Sequence, residues 1–307
     1  MRVAVTGATG LVGRRLCRAL LERGDELVVL SRDPTRASGL GASATHAWSP
    51  EGEPAAGLLA GVEGVVHLAG ESVQGRWTRA KKAAILASRE EGTRSIVTAI
   101  AAARDPDPTQ GPQVLVSASA VGWYGERGDD FLSEADPSGD DFLAGVCEAW
   151  EAEAVRAESL GVRVAPLRFG LVLAPEGGAL KEMRLPFSLG LGGPLGTGRQ
   201  WWSWVHIEDL IALILLALRD TSLTGPVNVT SPEPVRQRDF AKGLGAALGR
   251  PAILSAPRWA LRLALGEFST EVLTSKRVLP KSALAAGFEF QFPTLAPALK
   301  DLLAPAS

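Results

Sequence analysis

The sequence predicts an α/β fold: a Rossmann-type, doubly wound parallel sheet with a smaller C-terminal substrate domain. Three observations carry that expectation. A short apolar strand runs into Thr6-Gly7-Ala8-Thr9-Gly10-Leu11-Val12-Gly13 and then into an amphipathic stretch. Near-continuous apolar strand patterns then recur at helix-length intervals, as a sheet covered on both faces requires. The chain of 307 residues is long enough for one large core plus a small second unit.

Arg2 to Val5 reads as the first buried strand. From Leu11 the period changes: Leu11, Val12, Leu16, Ala19 and Leu20 share a helical face, with Arg14, Arg15, Arg18 and Glu22 opposite. Gly24 stands where a helix-ending glycine belongs, and Leu27 to Leu30 is a second apolar strand. Strand, glycine loop, helix, strand is the context in which glycine spacing signals a dinucleotide. Gly7 permits the tight turn. Gly10 lets backbone amides approach a pyrophosphate at the helix N-terminus, where the dipole favours negative charge. Gly13 lets the helix lie close to the strand. The expected cofactor contacts here are Gly7, Thr9, Gly10, Leu11, Val12 and Gly13.

The end of the second strand selects the cofactor. An acidic residue there would bond the ribose 2′-hydroxyl. This strand ends Leu30-Ser31-Arg32. A hydroxyl and a two-pronged guanidinium suit a 2′-phosphate, so Ser31 and Arg32 predict NADP over NAD. The alternative for Arg32 is a solvated surface arginine. Asp33 is expected to cap the following turn.

Further strands are read at Gly64–Leu68, Val114–Ser117 and Val162–Leu167, with helices at 79–103, 143–159, 209–219 and 237–248. A Pro/Asp/Gly loop is expected over 105–112. The predicted organisation is a dinucleotide-binding domain over 1–250, with substrate-domain insertions around 171–205, and a small unit over 251–303 that is helical and then extended at Phe288–Phe292.

Composition narrows the partners. Net charge is −2, hydrophobic residues make up 46% and charged residues 21%, with both signs spread along the chain. No basic run interleaved with aromatics occurs, so nucleic acid is not an expected partner. Cys17 and Cys147, the only cysteines, have no metal-ligand spacing and fit a reducing compartment. The longest apolar run, Leu210 to Leu218, is far short of a membrane span. These features predict a cytoplasmic monomer or homodimer with a small-molecule ligand, no bound metal and no membrane partner.

Several longer blocks resemble one family. They are Thr6–Gly13; His67-Leu68-Ala69-Gly70-Glu71; Arg76-Trp77-Thr78 with Ser88-Arg89; Ser117–Gly125; Gln200–Asp209; and Val278-Leu279-Pro280 with Gly287–Phe290. Together they are similar to the atypical, epimerase-like branch of the extended short-chain dehydrogenase/reductases, over Met1 to about Leu303. That resemblance implies three loops at the carboxyl ends of the strands. In the first, Leu68, Ala69 and Gly70 approach the cofactor, and Glu71 accepts from its ribose or amide or is a solvated turn carboxylate. Arg89 faces the cofactor phosphates or pairs with Glu90 or Glu91. In the second, Ser119, preferred to Ser117, holds a substrate oxygen. Tyr124 donates a proton or packs beside Trp123. In the third, the family's Tyr-x-x-x-Lys pair falls on Leu143 and Cys147. Leucine shuttles no proton, and Cys147 is expected to be a pocket wall near the nicotinamide or a small core residue.

A second departure follows. The family's Arg-Asp-Phe-Val-His motif aligns with Trp202-Ser203-Trp204-Val205-His206, so indole replaces the arginine that meets a nucleotide phosphate. Arg199 is the candidate substitute, and Trp201 and Trp202 are candidates for a planar ligand or for packing. His206 is expected to bond backbone and Asp209 to cap a helix. The expected function is NADP-dependent oxidoreduction of a small carbonyl or alcohol without the usual acid–base pair. Epimerisation of a nucleoside-diphosphate sugar and a non-catalytic NADP sensor or scaffold stand as alternatives. The placement of Tyr124 separates them.

Overall fold

A computed structural model describes residues 1–304 except 106 and 108. Pro106 and Pro108 of the expected loop at 105–112 therefore lie outside the described residues. Strand β1 (Arg2–Thr6) leads through the glycine loop into helix α1 (Leu11–Glu22), then β2 (Glu26–Ser31) and β3 (Ala44–Ala47). β4 (Gly64–His67), α2 (Arg79–Arg104), β5 (Val114–Ala120) and α3 (Phe142–Val155) follow. Strands Arg163–Phe169 and Val227–Val229 complete a seven-stranded sheet. Across the sheet the order is Val227–Val229, Arg163–Phe169, β5, β4, β1, β2, β3, with every pairing parallel. The order reverses between β1 and β4, and in open sheets of this kind ligands bind at such a point, beyond the carboxyl ends of the strands.

The strands form because their apolar runs are covered on both faces. Val3, Val5, Val29 and Val66 face one buried cluster, and Ala4, Val28, Leu30 and Val65 face another. α1 buries Leu16, Cys17 and Leu20, and it ends at Gly24, whose φ of +79° favours glycine. α2 starts at Thr78, whose side chain accepts from the Lys81 amide, and α3 starts at Asp141, which accepts from the Ala144 amide. Asp33 caps the turn after β2 by accepting from the Thr35 amide, as expected.

Later helices are α4 (Gly178–Ser188), α5 (Ile207–Arg219), α6 (Gln237–Ala247) and α7 (Arg258–Leu265). Residues 277–278 form a short parallel pair with 131–132, and helix Leu295–Leu302 packs on α6. Phe288–Phe292, expected to be extended, is not a strand; Phe292 and its neighbour Gln291 donate their amides to the Asp209 carboxylate. That also corrects the expected capping role of Asp209, while His206 bonds backbone as expected. His206, not Asp209, caps α5, its Nδ1 accepting from the Glu208 amide, while Asp209 holds the C-terminal segment. No described helix is long and apolar enough to cross a membrane.

Candidate functional site

The glycine loop behaves as its spacing requires. Gly7 has φ of +68°, and a Cβ there would lie 2.9 Å from the Leu68 carbonyl carbon of the neighbouring loop. A Cβ on Gly13 would strike the Gly7 carbonyl oxygen. Gly10, the exposed N-cap of α1, supplies no side-chain cap. The first-turn amides of α1 are thus left for an acceptor outside the helix, and the helix dipole favours an anion. This cradle fits a dinucleotide pyrophosphate, because any side chain at Gly7 or Gly13 would fill or distort it.

The two loops of the crevice are fastened by a pair that the sequence reading did not single out. Thr6 and His67 end β1 and β4 in register with each other. The Thr6 hydroxyl accepts from the Leu68 and Ala69 amides at 3.0 and 3.1 Å. Its own hydrogen must then go to His67 Nδ1, 2.8 Å away, which fixes the imidazole as the Nε2–H tautomer. Burial pushes the His67 pKa down to about 3, so the ring is neutral.

Loop 68–71 is pinned from α2 as well. Ser88 Oγ accepts from the Glu71 amide, and Arg89 donates to the Glu71 carbonyl at 2.9 Å. Arg89 turns inward over the Trp150 ring and Glu90 pairs with Arg94, so the surface pairing considered for Arg89 is not formed with Glu90. The Glu71 carboxylate is engaged by Lys81 at 2.6 Å, which holds its pKa below the ordinary range. At the end of β2, Ser31 Oγ is bound to the backbone of Asp33. Arg32 is exposed and makes no ion pair among the described residues. An unpaired guanidinium at this strand end fits an added phosphate on the adenosine ribose.

The other half of the site has a different character. Ser119 and Tyr124, the two catalytic candidates, are both buried in a polar network away from solvent. Ser119 donates to Glu151 at 2.5 Å, and Glu151 forms a two-bond ion pair with Arg168 at 2.9 Å. Tyr124 donates to Asn228 Oδ1 at 2.7 Å and accepts from Arg168 at 3.0 Å. Asn228 in turn donates to the Leu279 carbonyl of the C-terminal segment. Arg168 also lies over the Trp123 ring at 3.9 Å. Burial raises the phenol to about 12, so proton release at neutral pH is opposed. The structure gives Ser119 and Tyr124 a structural job: each is a member of a satisfied buried network.

Leu143, which the family resemblance aligned with a tyrosine, packs with Trp77, Ile85 and Val146. Phe142 and Phe268 close the cluster, their rings 5.2 and 5.7 Å from Trp77. Phe268 comes from the C-terminal segment, so that segment helps to cover Leu143. Cys147 is buried, its Sγ 3.6 Å from the Ala120 carbonyl, and burial pushes the thiol up to about 12. It is a packed thiol rather than a nucleophile.

The tryptophan run is likewise committed. Trp202 packs on Phe240 and donates to the Val272 carbonyl. Trp201 lies between the Arg236 and Arg277 guanidinium groups and donates to Asp129. Arg199 is exposed and contributes its carbonyl to Arg236. These contacts are packing between segments, the second of the two roles weighed for the indoles.

The model of the NAD dependent epimerase/dehydratase family matches residues 3–229. The chain belongs to that family. A domain of unknown function, DUF1731, matches residues 256–302. Over 99% of its length the chain is 40% identical to the chloroplastic SDR39U1 homolog of Arabidopsis thaliana, of which 87% is covered. It is 37% identical to the epimerase family protein YfhF of Bacillus subtilis, covering 98% of that protein. Among solved structures it superposes on human epimerase family protein SDR39U1, determined with NADPH, with a TM-score of 0.84 at 32% identity, over 98% of this chain and 99% of that one. A Bacillus cereus UDP-glucuronic acid 4-epimerase, 17% identical with a TM-score of 0.78, shares the fold.

Proposed function

We propose that this protein binds NADP(H) and acts as a reductase of a small carbonyl compound. The observation that carries the reading is the pairing of an uncapped α1 N-terminus with the unpaired Arg32 at the end of β2. The NADPH found with the human relative supports it. Gly7, Thr9, Gly10, Leu11, Val12 and Gly13 would cradle the diphosphate, and Ser31 and Arg32 would meet the 2′-phosphate. Leu68, Ala69 and Gly70 would lie along the ribose, while Arg89 holds their loop in place.

When bound, NADPH supplies a hydride; everything else falls to positioning and to proton movement. Oxidising an alcohol or epimerising a sugar needs a base to take a hydroxyl proton. Leu143 has none to offer, the Cys147 thiol and Tyr124 phenol are held protonated, and Ser119 is committed to Glu151. Reduction needs only a proton, and water supplies one when the carbonyl is electron-poor. The second reading, a cofactor-binding sensor without turnover, is favoured by the burial of Tyr124.

Calorimetric titration with NADPH and NADH, followed by absorbance at 340 nm with a panel of electron-poor and ordinary carbonyl compounds, tests the proposal. NADPH binding with oxidation by electron-poor carbonyls is the expected result. Binding without oxidation by any compound would leave the sensor reading, and no NADPH binding would overturn both.

A further inference from the structure

Large apolar side chains are exposed on α4, at residues 189–191, at Ile253 and on α7. Ile253 is 77% exposed, Trp259 71%, Leu263 70% and Leu185 68%, with Leu189 and Leu191 close behind. Backbone bonds join the segments that carry them. Leu254 donates to Gly192, Ala256 to Pro194, and Gly196 back to Ala256, so residues 192–196 run alongside 254–256. Arg250 donates to the Ser188 carbonyl at the end of α4. The start of α7 abuts the same strip, since a Cβ on Gly196 would lie 3.3 Å from Arg258 Cγ. An exposed apolar patch of this kind on a soluble domain marks a contact surface.

Charge identifies the contact. Residues 178–196 and 250–265 hold five cations, Lys181, Arg184, Arg250, Arg258 and Arg262, against one carboxylate, Glu182. All five are exposed, and none forms an ion pair among the described residues. On α7 the two kinds alternate by turn: Arg258 and Arg262 form one exposed stripe, Trp259 and Leu263 the stripe beside it, and Leu261 anchors the inner face. An isologous contact with a second copy would set these like charges against each other. An anionic headgroup layer over hydrocarbon satisfies both stripes at once, with the cations in the headgroups and tryptophan at the interface.

We infer that the face made by α4, the strip 188–196, the segment 250–256 and α7 docks on an anionic lipid surface. The contact is peripheral and involves no span of the bilayer. It does not depend on the assignment of cofactor or reaction. The test is co-sedimentation of the full chain with vesicles of phosphatidylcholine alone or mixed with phosphatidylglycerol, at low and high salt, alongside light scattering of the free protein. Binding to the mixed vesicles, weakened by salt, is expected, with little binding to phosphatidylcholine. The pair Arg258→Gln and Arg262→Gln should bind roughly thirty-fold more weakly. Trp259→Ser with Leu263→Ser should abolish sedimentation while melting at an unchanged temperature, since both side chains are exposed. Equal binding to both vesicle types, no binding to either, or a dimer in free solution that the Trp259→Ser, Leu263→Ser variant dissociates would each overturn the inference.

Discussion

The two sides of the crevice differ in what their polar groups are free to do. On the β1, β2 and α1 side, α1 has no side-chain cap and Arg32 forms no ion pair among the described residues. On the β5, α3 and 163–169 side, Ser119, Tyr124, Glu151, Arg168 and Asn228 satisfy one another, and Leu143 lies under Trp77 and Phe142. One side keeps polar groups open to an added partner, and the other commits its polar and ionic groups to one another.

The contrast breaks most visibly at Arg168. Replacing it with Met strands Glu151 without its counter-charge, and a loss of about 3–5 kcal/mol in chemical unfolding is expected. A change much below that would mean that the buried pair is not what holds this side together. Tyr124→Phe removes one hydroxyl from the same network and should cost about 1–3 kcal/mol, with NADPH affinity unchanged. A drop in affinity or in reduction rate larger than the stability loss explains would return Tyr124 to the catalytic side.

Acid should act on the receiving side. His67 has a folded pKa of about 3 against 6.5 for the free side chain, so the unfolded chain binds its proton first as pH falls. Its stabilising contribution is complete above pH 6.5, declines as pH drops toward 3, and is short by about 2 kcal/mol at pH 5. His67→Gln should flatten that part of the melting curve against pH; an unaltered slope would exclude His67 as its source. The smallest effect is expected from Cys147→Ser, which should leave cofactor affinity nearly unchanged in titration. A large loss there would place the thiol in the cofactor pocket.

Much of the receiving side was legible in the sequence because its requirements are local. Gly7, Gly10 and Gly13 sit within seven residues, and Arg32 follows the next strand directly. The sheet was legible for a similar reason, since each buried parallel strand is a continuous apolar run. The Thr6–His67 fastening was not seen, although a polar residue ends each of two apolar strands; only their parallel register brings them together. The network on the closed side needed contacts across as many as 104 residues, as between Tyr124 and Asn228. Its traces were a lone Arg168 at the end of an apolar strand and a lone Glu151 on the buried face of α3. Asp209 does not cap α5 as expected because the C-terminal segment, far off in sequence, offers it two amides, and His206 caps the helix through its expected backbone bond.

If Arg32 meets the 2′-phosphate of NADP(H), as proposed, cofactor preference rests on that guanidinium. Titration of the wild-type chain and of Arg32→Asp with NADPH and with NADH tests it most directly. The wild type is expected to prefer NADPH, and the substitution to weaken NADPH binding about ten- to a hundred-fold while NADH binding barely changes. Equal weakening for both cofactors, or a wild type that prefers NADH, would contradict it.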